Sequence, residues 1–241
     1  MAQYIYGKNV VMQRFKERKP IERIYLLQGA VDLQLQKLAK DCHIPIEILS
    51  RNKLDSLAKG GKHQGVICQI EDYQTVSVEK ILEQIPAEKL PLLVMLDQLE
   101  DPHNLGAILR TCDAIKVDGV IIKKNNAVGL NATVAKVSTG AIETVPVAEV
   151  VNLSQTLSML KTKGYWVYGA DASNAVDYRS CSYDTPFVLV VGSEGKGISR
   201  LVKEHCDQMI SLPMLGNVTS LNASVACGIL LYQIHQKRFP L

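Results

Sequence analysis

The sequence predicts an α/β protein in two parts, a small N-terminal unit followed by a larger one. Three observations predict it. Short apolar strand-like runs alternate with helical periodicity along most of the 241 residues. A polar stretch, EDYQTVSVEK followed by the break Pro86-Ala87-Glu88-Lys89, separates residues 1–72 from 90–241 and reads as a linker over 73–89. Composition is 47% apolar and 21% charged, which suits a globular chain long enough to bury a sizeable core.

In the first unit, 7–18 reads as a basic helix, 23–27 as a strand and 31–40 as a second helix. Short apolar strands at 45–49 and 65–70 flank a helix at 52–59, with Lys59-Gly60-Gly61-Lys62 as a flexible basic turn. The linker holds a short helix at 78–84. The second unit opens on a fully apolar strand at 92–96, continues through a helix that Asn104 opens, and places a strand at 119–122 and a helix at 132–139. A strand at 144–147, a helix at 153–163 and strands at 166–169, 187–191 and 209–212 follow. A long apolar helix over 221–235 ends the pattern.

Composition narrows the function classes. No apolar run approaches the roughly 20 residues of a membrane span, and the N-terminal residues MAQYIYGKNVVMQRFKERK lack a signal-peptide core. A cytoplasmic protein is expected. Six cysteines lie far apart without a C-x-x-C pair, so neither a zinc site nor a disulfide framework is expected, only reduced and mostly buried thiols. A net charge of +3 permits a polyanionic partner without announcing one.

Three segments carry chemistry. In LDQLEDPHNLGAILRTCDA, Asn104 suits a helix cap, while Arg110 sits two turns into an otherwise apolar stretch. In FVLVVGSEGKGISRL an apolar strand runs into Gly192-Ser193-Glu194-Gly195-Lys196-Gly197. Closely spaced glycines at a strand's C-terminal end let the backbone approach a ligand. The Walker and G-x-G-x-x-G patterns are absent, and Glu194 would repel phosphates, so the loop favours a ligand without them. In ISLPMLGNVTSLNASVACGILLYQI a strand turns at Pro213 and small polar residues lead into a helix, with Ser220 as a candidate cap and Asn222 and Ser224 in the first turn.

Together, and in this order, the segments resemble the SpoU/TrmH family of RNA 2′-O-methyltransferases within the SPOUT superfamily. Tyr6-Gly7 and His63-Gln64-Gly65-Val66 resemble the small RNA-binding domain ahead of the catalytic domain in ribosomal members, above all those that methylate a guanosine of 23S rRNA. The resemblance implies a deep trefoil knot in a mostly parallel, helix-flanked sheet, preceded by a domain like ribosomal protein L30e. It implies S-adenosyl-L-methionine as cofactor and S-adenosyl-L-homocysteine as product. Gly192, Leu212 and Leu221 would offer it backbone groups, and Ile210, Met214 and Ala223 would line the adenosine pocket. Arg110 takes the activating role, with Asn104, Glu194, Ser220 and Asn222 as the polar shell. Because arginine stays protonated in proteins, Arg110 is better suited to hold a phosphate and stabilise a developing alkoxide than to act as a base.

A substrate defined by its 2′-hydroxyl is RNA, and Lys8, Arg14, Lys16, Arg18, Lys19, Lys59 and Lys62 form the expected phosphate platform. A homodimer without metal is expected. The competing readings are the same chemistry on tRNA or on an rRNA adenosine, a non-catalytic RNA-binding knot protein, and a nucleotide-binding enzyme.

Overall fold

A computed structural model describes residues 3–16, 18–30, 32–58, 60–71, 73–172 and 175–240, in two compact units, Met1–Asp72 and Tyr73–Leu241. The first contains β1 (Gln3–Tyr6), α1 (Lys8–Lys16), β2 (Arg23–Leu27), α2 (Leu33–Asp41), β3 (Ile46–Leu49), α3 (Arg51–Ala58) and β4 (Val66–Ile70). The sheet order is β1-β4-β2-β3, with β2 and β3 parallel and the other pairs antiparallel. The helices bury Val11, Leu35, Ala39, Leu54 and Ala58. Strand β1 was not expected; its four residues carry little pattern, and pairing with β4 defines it. Helix α2 begins later than expected because Asp32 caps it, accepting from the Leu35 N–H at 3.1 Å. Val31 lies outside the described residues. Lys8 bonds the same carboxylate at 2.8 Å and holds the Asp32 carboxyl below the usual carboxylate range.

The second unit contains α4 (Val78–Gln84), β5 (Leu92–Leu96), α5 (Pro102–Ala114), β6 (Gly119–Lys123), α6 (Ala132–Ser138), β7 (Val147–Val150), α7 (Leu153–Thr162), β8 (Trp166–Ala170), β9 (Val176–Asp177), β10 (Phe187–Val191), α8 (Arg200–Lys203), β11 (Gln208–Ser211) and α9 (Ala223–Arg238). Its seven strands run in the order β7-β6-β5-β10-β8-β11-β9, and every pairing is parallel. Strands buried on both faces need unbroken apolar runs, which LLVML and FVLVV supply. Leu92, Val94 and Leu96 pack with α5, α6 and α9 on one face. Leu93 and Met95 pack with α4, α7 and α8 on the other.

The connecting stretch 73–89 is packed into this unit. Ser77 caps α4, Val78 and Ile81 join the core, and Val76 bridges Ala148. The strand expected at 144–147 starts at Val147 instead. Residues Ala141–Glu143 form a 3-10 turn, and the Thr144 hydroxyl bonds back to the Ala141 carbonyl at 3.3 Å. Close approach of α5 and α6 depends on Gly106, where a Cβ would lie 2.7 Å from the Val137 Cβ.

The thiols follow burial. Cys68, Cys112, Cys181 and Cys227 are buried, Cys206 is partly covered and Cys42 is exposed. Burial pushes Cys68, Cys206 and Cys227 up to about 12, so they stay protonated and unreactive at neutral pH.

Arg238 locks the end of α9 to the N-terminal edge of the sheet. Its guanidinium donates to the carbonyls of Leu90, Pro91, Tyr183 and Thr185 at 2.7–3.3 Å and lies 4.7 Å from the Phe187 ring centroid. Arg238→Ala is expected to cost about 2–3 kcal/mol in urea unfolding, and Arg238→Lys to recover little because an ammonium cannot reproduce the fork.

Candidate functional site

The order of strands places a switch point between β5 and β10. From β5 the chain winds outward to β6 and β7, while β10, β8, β11 and β9 lie on the other side. Open parallel sheets bind ligands at such a crevice, beyond the strands' C-terminal ends. Here Asp97 N–H bonds the Val191 carbonyl at 2.9 Å, and the segments after β5, β10 and β11 converge.

Asp101, rather than Asn104, caps α5. Its carboxylate accepts from the His103 N–H at 2.8 Å, with Pro102 in the first turn, where a missing N–H costs nothing. Asn104 thus sits inside the helix, buried, with its side chain free to act elsewhere. Asn222, not Ser220, caps α9: its Oδ1 accepts from the Ser224 N–H at 3.0 Å and the Val225 N–H at 3.2 Å. Those bonds fix the amide's orientation and turn its Nδ2 away from the helix.

Asn222 Nδ2 donates to Asn104 Oδ1 at 2.9 Å and to Glu194 Oε1. Asn104 Nδ2 donates to the same Glu194 oxygen at 3.0 Å, and the Ala223 N–H approaches it at 3.4 Å. One carboxylate oxygen therefore collects donors from the starts of α5 and α9. Glu194 itself stands on a tight turn in which Ser193 and Gly197 bridge and Gly197 N–H bonds the Ser193 carbonyl at 2.9 Å. Gly192 starts this turn. A Cβ there would fall 2.1 Å from the Gly197 carbonyl carbon and 2.4 Å from Ile198 N, so no side chain fits without moving backbone.

The structure therefore brings Asn104, Glu194 and Asn222 together. Ile210 and Ala223 are buried, Leu212, Met214 and Leu221 are half-buried, and Leu215 beside them is 99% exposed. Arg110 and Ser220 are not drawn in. Both are exposed, and their side chains make no hydrogen bond or ion pair among the described residues. Six residues along α5 set Arg110 about 9 Å from Asn104 on a different helix face. Sequence reading missed Asp97 and Asp171, each the first residue after a buried strand. Asp97 Oδ2 accepts from Ser199 N–H at 2.7 Å, and Asp171 pairs with Lys203 at 2.6 Å. The signal was a carboxylate directly after an apolar run, as in VML-Asp97.

In the first unit, the His63-Gln64-Gly65 turn is held from inside. The Gly65 N–H donates to His63 Nδ1 at 3.0 Å, so Nε2 carries the proton and donates to Asp55 at 2.9 Å. Lys8, Lys16, Arg18 and Lys62 are exposed. Arg14 is a correction to the platform: its guanidinium is buried and donates to the Pro20 carbonyl at 2.9 Å. Lys19 is half-buried, and Lys59 lies outside the described residues.

Residues 73–240 thus form a parallel α/β unit with a polar network at its switch point, and residues 3–71 form a small unit of their own. The family profile described as the SpoU rRNA methylase family matches residues 91–232, and that described as RNA 2′-O ribose methyltransferase substrate binding matches 4–76. The chain belongs to the SpoU family and is an RNA methyltransferase of the TrmH/SpoU kind. It is 46% identical over 242 residues to YacO of Bacillus subtilis (strain 168), named for the TrmH family of tRNA/rRNA methyltransferases, covering 99% of this chain and 97% of that one. An AdoMet-bound rRNA methyltransferase from Sinorhizobium meliloti superposes with a TM-score of 0.77 at 21% identity, covering 100% of this chain and 88% of that one. The TrmH/SpoU tRNA modifying enzyme of A. aeolicus gives 0.58 at 32% identity, covering 66% and 81%.

The dual role of Asn222 separates two substitutions. Asn222→Ala removes cap and network together. Asn222→Asp keeps the cap but loses both donated bonds and sets a second carboxylate against Glu194. Urea unfolding is expected to show Asn222→Asp destabilised by about 1–3 kcal/mol, at least as much as Asn222→Ala. A wild-type-like Asn222→Asp would mean that the network carries no weight.

Proposed function

We propose that this RNA methyltransferase moves the methyl group of S-adenosylmethionine to the ribose 2′-hydroxyl of a guanosine in 23S rRNA, working as a homodimer. The observation that carries the reading is the bonding of Asn104, Asn222 and Glu194, which unites all three family segments at one switch point.

The residues fit the cofactor. Ile210 and Ala223 offer buried apolar walls, and Met214 a half-buried one. Gly192, Leu212 and Leu221 have main-chain groups along the loops after β10 and β11. No phosphate motif is present, and the Glu194 carboxylate in the loop after β10 disfavours a phosphate and suits a cationic ligand. Bound S-adenosylmethionine supplies an electrophilic methyl on a sulfonium. Glu194, held by three donors, keeps the loop after β10 fixed against α5 and α9 while RNA binds. The Arg110 fork, without a competing partner among the described residues, is suited to grip a backbone phosphate and stabilise the negative charge that develops on the 2′-oxygen. Ser220 presents its hydroxyl on the exposed loop ahead of Asn222.

A second copy completes the site in this reading. Arg110 lies on a different face of α5 from Asn104, and α9 exposes Val225 (50%), Ile229 (39%) and Tyr232 (56%) in one stripe, opposite its buried Cys227, Leu230 and Ile234. Substrate class rests on coverage. The solved rRNA enzyme named above spans the whole chain, whereas the tRNA enzyme matches 66% of it. The additional unit, with Lys8, Lys16, Arg18 and Lys62 exposed, supports a larger RNA.

Labelled S-adenosylmethionine incubated with rRNA and tRNA from cells lacking the gene, followed by mapping of ribose methyl groups, tests the reading. A single guanosine of 23S rRNA is expected. Label in tRNA or on an adenosine would reassign the substrate, and no transfer to any RNA would refute the activity. Arg110→Ala is expected to lower kcat by about 100-fold or more while cofactor Kd stays within about threefold. Tyr232→Glu should shift the protein from dimer to monomer in light scattering and remove transfer; an unchanged dimer would exclude this face.

A further inference from the structure

β10 lies between β5 and β8, and an aspartate follows each of these neighbours near the loop after β10. Asp171, after β8, brings Oδ2 to 3.2 Å from where a Gly197 Cβ would stand and pairs with Lys203 on α8. Asp97, after β5, reaches the loop's far end, where Oδ2 accepts the Ser199 N–H at 2.7 Å. Asp97 is only 2% exposed, and its second carboxylate oxygen accepts no hydrogen bond among the described residues. A buried carboxylate with one bond is a costly way to anchor a turn, since an apolar residue would fill the space with no desolvation penalty.

We infer that Asp97 is a positioning residue that fixes the 192–199 loop and thereby sets Glu194 against Asn104 and Asn222. The sheet defines the loop's start, since Val191 is locked between Leu96 and Ala170. Its end is held by Ile198, buried against Val188 and Val190, and by the Ser199 N–H, which is tied to Asp97 at the end of β5. With both ends fixed, the bridge between Ser193 and Gly197 leaves the turn little freedom, and Glu194 is presented in one place. The inference uses the proposed cofactor site only for its binding readout.

The test compares Asp97→Ala, Asp97→Asn and Ser199→Pro in the full-length protein. Asn keeps an acceptor oxygen. Proline at 199, at a φ of −63° that its ring accepts, removes the donor but sets its Cδ against the Asp97 carboxylate, so it is read beside the double variant Asp97→Ala/Ser199→Pro, in which that contact is absent. Hydrogen exchange in the ligand-free protein reads the loop, and calorimetric titration with S-adenosylmethionine reads the site. Asp97→Ala and Ser199→Pro are each expected to speed exchange across residues 192–204 by about tenfold or more, leave β6 unchanged, and raise cofactor Kd by about tenfold. Asp97→Asn should stay within about threefold of wild type in both. Wild-type exchange in the loop of Ser199→Pro, or an Asp97→Asn as impaired as Asp97→Ala, overturns the inference. If Asp97→Ala does not fold, Ser199→Pro decides. If wild type binds no S-adenosylmethionine, the cofactor reading fails, while loop exchange still decides the role of Asp97.

Discussion

A carboxylate oxygen can accept several N–H groups arriving from different directions, and Glu194 Oε1 uses that capacity to join chain segments remote in sequence. Asn104 lies 90 residues before it and Asn222 lies 28 after it, yet both amides meet on the one oxygen. The partners stand on well-packed elements: α5 and α9 share the same sheet face and bury Leu105, Ile108, Leu109, Cys227 and Leu230 in one core. Glu194 is the only one of the three on a loop. The network therefore lends a glycine-rich turn the rigidity of two helices, which is what a site built on loops otherwise lacks.

Polar groups in this unit divide into those the fold consumes and those it leaves. Asn104 and Asn222 each donate and accept within the chain through their side-chain amides, and Asp101 and Asn131 are occupied as caps. Arg110 and Ser220 are exposed and unengaged. Neither side chain contributes a bond that holds the fold in this arrangement. Leu215 and Val218, in the loop before Ser220, leave apolar side chains exposed.

Much of this was legible from the sequence. Strands β5 and β10 are five-residue apolar runs with burial on both faces, and short α4 came out with its observed bounds because Ser77 and the residues after Gln84 delimit it. What escaped was set by tertiary pairing. QYIY becomes a strand only beside β4, and Val176–Asp177 only beside β11. The caps were misplaced in opposite directions: Asp101-Pro102 starts α5 ahead of Asn104, and Ser220 loses to the later Asn222 because the chain between them stays irregular. Asn104, Glu194 and Asn222 were named from their motifs, but nothing local announces that they touch. Asp97 and Asp171 were overlooked because an aspartate after a strand reads as an ordinary turn residue until the neighbouring loop is in view.

Two glycines of the same turn face opposite futures under mutation. At Gly192 any Cβ meets backbone within 2.4 Å, whereas at Gly195 nothing lies within 4 Å. Every single-base change that replaces a glycine introduces a residue with a Cβ, so position 192 has no neighbouring step open to it in sequence space. Position 195, at the tip, can drift and acquire side chains that reach outward. The loop is thus frozen at its root and open to change at its crown, where new side chains can accumulate without disturbing the grip on Glu194.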